Sequence, residues 1–296
     1  HIEDQAGRTA DADYEDDTPA PEEFTVDKVK PTMAVEYYLV GDGEPEKINV
    51  STDEINRLYK NQTIRAVVKI TERNFSPDTE NFSDEYEQVI PHFTWTTYSG
   101  TPGSVKDFET AAVSRDKWTT ESEETFVRTQ SFDFVADGDY SFTMEYTDLA
   151  GHELETAYDT HYFTVDKTAP EISVVYKADG QIINPGEIET ERLFRNKTIT
   201  ADVTITERNF YRSDDAAQFE DGQMNLTYTA VDAYGETVGT STNADAENPI
   251  ENYTETANTR SEWQTGSDGE QYVRTHTFTF TKDANYTFAL QYTDLA

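Results

Sequence analysis

A chain of 296 residues is long enough for about two domains of roughly 100–200 residues, each able to bury a core of its own. Its 59 acidic and 23 basic residues give a net charge of -36, which repels phosphate backbones and anionic lipid. That balance argues against nucleic acid and membrane surfaces as partners and favours a basic protein or divalent cations. No cysteine is present, so disulfides and thiol chemistry are excluded, and no apolar run reaches the roughly 18–20 residues of a membrane helix.

Residues 1–27 read as the tail, or last strand, of a preceding repeat, or as an N-terminal arm. The run Glu15, Asp16, Asp17 and the prolines Pro19 and Pro21 suit a solvated segment. Two matches point to the repeat tail: Asp4-Gln5-Ala6-Gly7 resembles Asp148-Leu149-Ala150-Gly151, and Phe24-Thr25-Val26-Asp27-Lys28 is identical to Phe163-Thr164-Val165-Asp166-Lys167. With no signal peptide or anchoring tail, the sequence is expected to be a piece of a longer exported chain.

A first unit is predicted over residues 28–166. Met33, Val35 and Tyr37 alternate with polar or small residues after Pro31, which cannot donate to a ladder and suits a strand start. Asp53 to Lys60 could form one or two helical turns. Ile64, Ala66, Val68 and Ile70 have the period of a second strand, which runs into Thr71-Glu72-Arg73-Asn74-Phe75. Phe93 and Trp95 mark a third strand, Phe132 and Phe134 another. Tyr140, Phe142, Met144 and Tyr146 then alternate with Ser141, Thr143 and Glu145 before the Asp148 to Gly151 turn, and Tyr162 and Val165 fall in the strand after it.

Residues 167–296 repeat this order as a second unit, with its last strand missing. Ile172, Val174 and Tyr176 follow Pro170. Ile199, Ala201, Val203 and Ile205 run into Thr206-Glu207-Arg208-Asn209-Phe210, and Tyr286, Phe288, Leu290 and Tyr292 stand 146 residues (286 − 140) beyond the matching alternation. The fold class expected is all-β, built as two antiparallel units with long acidic loops at 76–90, 99–125, 211–223 and 231–262.

Gly138-Asp139-Tyr140 and Ala284-Asn285-Tyr286 are the setting of a tyrosine corner, in which the hydroxyl bonds back to the backbone. Phe142 and Phe288 stand where antibody domains place a cysteine, and Trp95 stands where they place the core tryptophan. With the Tyr146-Thr147-Asp148-Leu149-Ala150-Gly151 turn and the Phe163 to Pro170 junction, the chain resembles the tandem bacterial immunoglobulin-like repeats of Gram-positive cell-surface proteins. The resemblance implies two tandem immunoglobulin-like β-sandwiches in an extracellular, non-enzymatic module that attaches to a host protein, with immunoglobulin as one candidate. The alternatives are a structural stalk or spacer and a glycan-binding adhesin module. All-β extracellular units without cysteine fit a bacterial rather than an animal surface.

Catalytic motifs are poor. His152-Glu153-Leu154-Glu155-Thr156 begins like a zinc-protease helix, but Thr156 stands where the second histidine is needed and the segment follows a turn. Topology should bring the chain's entrance, the end of the second strand and the late hairpin to one end of each unit. Asp27, Glu72 and Asp148, with Asp166, Glu207 and Asp294 in the second unit, are thus calcium candidates, weighed against neutralisation by Lys28, Arg73, Lys167 and Arg208. Lys28 and Lys167 are also candidates for a self-formed amide, with Glu72 or Glu207 as proton shuttle. Tyr98, Trp118, Tyr253 and Trp263 are the candidate binding aromatics, or else loop-packing ones.

Overall fold

The computed structural model describes residues 2–3, 9–10, 26–73, 92–96, 105–106, 118–122, 125–148, 150–184, 196–209, 224–241, 249–251, 262–267 and 271–296. Among them the chain is almost entirely β and contains no α-helix. In chain order the strands are β1 (Ile2–Glu3), β2 (Thr9–Ala10), β3 (Thr32–Val40), β4 (Glu46–Ile48), β5 (Leu58–Lys60), β6 (Thr63–Glu72) and β7 (His92–Thr96). Next come β8 (Val105–Lys106), β9 (Trp118–Ser122), β10 (Thr125–Phe134), β11 (Gly138–Glu145), β12 (His161–Val165), β13 (Glu171–Ala178) and β14 (Gln181–Ile182). Last are β15 (Ile199–Glu207), β16 (Met224–Val231), β17 (Thr237–Thr240), β18 (Ile250–Glu251), β19 (Gln264–Thr265), β20 (Tyr272–Phe280) and β21 (Asn285–Tyr292).

The first half is built around β6 and β11. β6 carries apolar residues, three of them β-branched, at alternate positions, and Ile64, Ala66, Val68 and Ile70 all turn inward, at most 2% exposed. It lies between β3 and β10 in a sheet ordered β4-β3-β6-β10-β8, with β9 also on β10. β11 lies in a second sheet, ordered β5-β12-β11-β7, in which β5 runs parallel to β12 and the other pairs are antiparallel. Tyr140, Phe142 and Met144 of β11 are buried in one core cluster with Ile64, Phe132 and Phe134 of the first sheet. Ring contacts cross between the sheets at Phe134–Phe163 (4.8 Å) and Phe132–Phe142 (5.8 Å), edge-on or tilted as aromatic quadrupoles prefer.

The second half repeats the first sheet as β14-β13-β15-β20-β18, with β19 on β20. Its other sheet is β17-β16-β21, so among the described residues β21 is an edge strand where its counterpart β11 is flanked on both sides. The consequence is visible in burial. Tyr140 and Phe142 are 1% and 0% exposed, whereas Tyr286, Phe288 and Leu290 are only half-buried. Both tyrosines nonetheless donate to the carbonyl four residues upstream, Tyr140 to Ala136 (2.8 Å) and Tyr286 to Lys282 (2.9 Å).

Near the start, β1 and β2 pair Glu3 with Thr9 around residues 4–8. The bridge between Thr147 and Glu153 spans the Asp148 to Gly151 turn in the same way. Each pair is separated by five intervening residues.

Two expectations are corrected. Asp53 to Lys60 forms a turn and then β5 rather than helix, because Leu58 to Lys60 find partners on β12, far along the sequence. The stretches 99–125 and 231–262 are not loops throughout: β8, β9, β17 and β18 lie within them, each paired to a neighbour. Residues 76–90 and 211–223 lie outside the described residues.

Candidate functional site

Six carboxylates were expected to gather where the chain enters each unit. In the second unit they do. Asp166 follows β12, Glu207 ends β15, Asp294 follows β21, and a carboxylate oxygen from each lies within 4.8 Å of the others. Asp166 and Glu207 are 1% and 2% exposed.

The donors around them come from the backbone and an amide. Thr168 N donates to Asp166 Oδ1 (3.0 Å), and Asn209 Nδ2 donates to Asp166 Oδ2. Arg208 N and Asn209 N both donate to Glu207 Oε1 at 2.6 Å, and Ala296 N donates to Asp294 Oδ1 at 2.9 Å. Burial pushes the Glu207 carboxyl up to about 7; the two backbone donors oppose this and the charges of Asp294 and Asp166 reinforce it. Asp294 is also raised, chiefly by burial.

The first unit departs from its copy. Asp27 and Asp148 come together as expected, but the third member is His152 rather than Glu72. His152 N donates to Asp148 Oδ1 (2.7 Å) and its Nδ1 lies 2.9 Å from Oδ2, so Asp148 both caps its turn and holds the imidazole. Glu72 is buried, 2% exposed, and accepts from Arg73 N at 2.7 Å. The zinc-protease reading of His152 is not supported, since the residue follows a hairpin turn.

Lys167 was expected to neutralise these acids. It turns away instead: its ammonium donates to Val135 O (2.8 Å) and Thr63 Oγ1 (3.0 Å), while Asp137 accepts from Lys167 N and Thr168 Oγ1. Lys28 is exposed. Neither lysine has the desolvated setting that a self-formed amide to a neighbouring strand requires. The linker after Asp166 is therefore tied on one side to the turn before β11 and on the other to Asn209. Across it, the charge of Arg208 reaches Tyr140, whose hydroxyl is pushed up to about 12 by burial first and Asp137 second, against that charge.

Three carboxylates suit a hard cation, which takes six to eight oxygens. The five N–H bonds named above occupy fewer than half of the roughly twelve acceptor sites on these six oxygens, so the joint is a hydrogen-bonded corner that keeps carboxylate capacity for a cation.

Of the candidate binding aromatics, Trp118 and Trp263 are core residues, 6% and 3% exposed. They pack on Tyr146 (6.2 Å) and Tyr292 (6.0 Å), so neither offers a surface ring. Tyr98 and Tyr253 lie outside the described residues.

One surface aromatic was missed. Tyr234 is 93% exposed at the tip of the β16–β17 hairpin. Asp232 Oδ1 accepts from Tyr234 N (2.8 Å) and Glu236 N (2.9 Å), and Gly235 takes a left-handed φ of 88°. This is the Asp-x-x-Gly turn of Asp148 to Gly151 again, and Gly151 likewise has a φ of 85°. Only glycine adopts that backbone without strain, so Asp232-Ala233-Tyr234-Gly235 was a readable signal.

Family models and curated proteins both lack a match to this chain.

Proposed function

We propose that the chain is a pair of tandem immunoglobulin-like β-sandwiches from a bacterial cell-surface protein, non-enzymatic, whose role is attachment to a host protein. The observation that carries this reading is strand order. β3-β6-β10-β8 follows the A-B-E-D order of immunoglobulin sheets and β7-β11-β12 follows C-F-G, and β13-β15-β20-β18 with β16-β21 repeats most of it. The tyrosine hydroxyl bonds at Tyr140 and Tyr286 support the same reading.

The surface supports a protein partner more than a sugar. Net charge -36 favours a basic face, and Tyr234 offers a rigid aromatic of the kind that anchors interfaces. The glycan-binding alternative needed Trp118 and Trp263 at the surface, and both are interior. A spacer remains the second reading, favoured by the linker bonds of Asp137, Asp166 and Asn209, which tie successive units together.

Affinity capture from serum and mucus, read by mass spectrometry, separates the two. Attachment predicts enrichment of one host protein, immunoglobulin being the specific candidate, with recovery lowered by Tyr234→Ala at unchanged melting temperature. A spacer recovers nothing above a blank support.

A further inference from the structure

We propose that Asp27, Asp148 and His152 form a site for a divalent metal ion of the zinc class where the chain enters the first unit. One ligand atom from each residue lies within 4.8 Å of the other two. The set differs in kind from its copy in the second unit, where Asp166, Glu207 and Asp294 offer oxygen alone. A nitrogen beside two carboxylate oxygens suits zinc, cobalt or nickel, whereas an all-oxygen set suits calcium. This is not the helical zinc-protease arrangement, since the ligands come from a turn and from the chain's entry.

The turn fixes two of the ligands through its own backbone. Asp148 N donates to His152 O (3.0 Å) and His152 N donates to Asp148 Oδ1 (2.7 Å), which sets His152 Nδ1 2.9 Å from Asp148 Oδ2. Ligand atoms about 2.0–2.2 Å from a tetrahedral zinc lie roughly 3.3–3.6 Å apart, so a slight opening of this pair admits the ion. Asp27 adds the third ligand and is itself steadied by Val29 N on its Oδ1 (2.8 Å). Asp148 is 1% exposed, while the His152 side chain is 28% exposed and leaves a path from solvent.

A separate group points to the same place. Tyr146, two residues before Asp148 and 3% exposed, has a hydroxyl with no hydrogen-bond partner among the described residues. Burial raises its pKa, and the charges of Glu72 and Asp148 raise it further against Arg128, which sets the hydroxyl at the acidic end of the core. A buried hydroxyl without an acceptor is costly, and a water completing the coordination of the metal would supply one. The two carboxylates offset the double charge of the ion. Coordination through Nδ1 keeps the imidazole neutral with its proton on Nε2, so the contact with Asp148 Oδ2 is exchanged for metal bonds and nothing is oxidised or reduced.

The whole chain, stripped with chelator and titrated with Zn2+ by calorimetry and with Co2+ by visible absorption, tests the site. One equivalent should bind ahead of the weak binding by surface acids, and Co2+ should give the strong visible bands of a tetrahedral ion. In the parent chain the imidazole nitrogen-15 signals of His152 should move on adding Zn2+, a readout that does not depend on any variant folding. His152→Gln keeps the backbone bonds of the turn and should weaken binding by at least about tenfold, the lower end of what losing even a supporting partner costs. Glu207→Gln, in the other joint, should bind Zn2+ as the parent does. No stoichiometric binding, unmoved His152 signals, equal binding by His152→Gln, or loss of binding in Glu207→Gln would each overturn the proposal.

Discussion

Replacing Phe142 with alanine is expected to cost about 3–5 kcal/mol, the usual range for deleting a fully buried Phe. Its ring is 0% exposed and meets Phe132 at 5.8 Å, Phe134 at 5.7 Å and Tyr158 at 6.1 Å, so the surroundings cannot collapse into the void without moving both sheets. Against a typical domain stability of about 5–15 kcal/mol, that leaves the first unit near its unfolding threshold. Phe288, the copy of Phe142, is half-buried and touches Phe278 and Phe280, both at 5.5 Å. Its truncation should cost about 1–2 kcal/mol, less than full burial of a Phe contributes. Urea unfolding followed for each unit separately should show this asymmetry; equal costs would mean that the edge position of β21 has no energetic consequence.

Glu207 gives the second large effect, in pH. Its carboxyl titrates at about 7 in the folded chain instead of 4.5, so the native state holds a proton that the unfolded state has released. The stabilisation is complete below about pH 4.5 and is lost as pH rises through about 7. Asp294 is raised as well and acts in the same direction. In chelator-treated buffer the second unit should thus lose roughly 2–3 kcal/mol between these limits, and Glu207→Gln, which mimics the protonated form, should abolish most of that loss.

The first unit carries an opposite trend. His161 is lowered by burial beside Tyr37 and Tyr158, so its stabilisation is present above its unfolded value of 6.5 and fades as pH falls below it. Thermal melts at a series of pH values resolve both signs. If calcium restores the second unit's high-pH stability and Glu207→Gln removes that response, the joint holds a cation. If chelator and calcium leave the melts alike, it is a hydrogen-bonded corner only.

Strands with strict alternation were legible from sequence, because burial on one face imposes a period of two that loops do not mimic. Ile64 to Ile70 and Tyr140 to Tyr146 are the clearest cases, and all eight of their alternating residues are interior. What was not legible depends on partners distant in the chain. β5 is three residues long and exists because β12 is beside it; β8 and β18 have two residues each and β17 has four. The different burial of Tyr140 and Tyr286 cannot be read from two strands with the same apolar alternation, since the neighbouring strand makes the difference. Topology placed five of the six acids in their groups. It could not show that His152 would join Asp148, that Lys167 would bond to Val135 instead, or that the Asn209 amide would reach Asp166. The tryptophans illustrate the same limit: sequence offers a large aromatic, and only packing decides between anchor and core.

Hydroxyl-radical footprinting of the native chain, with tyrosine, phenylalanine and methionine labelling resolved by residue, addresses the inward-facing strand most directly. Tyr140, Phe142 and Met144, at most 2% exposed, should label far more slowly than Tyr234 at 93%, with Tyr286 and Phe288 between them. Labelling of Tyr140, Phe142 and Met144 as fast as Tyr234 would contradict a closed two-sheet core.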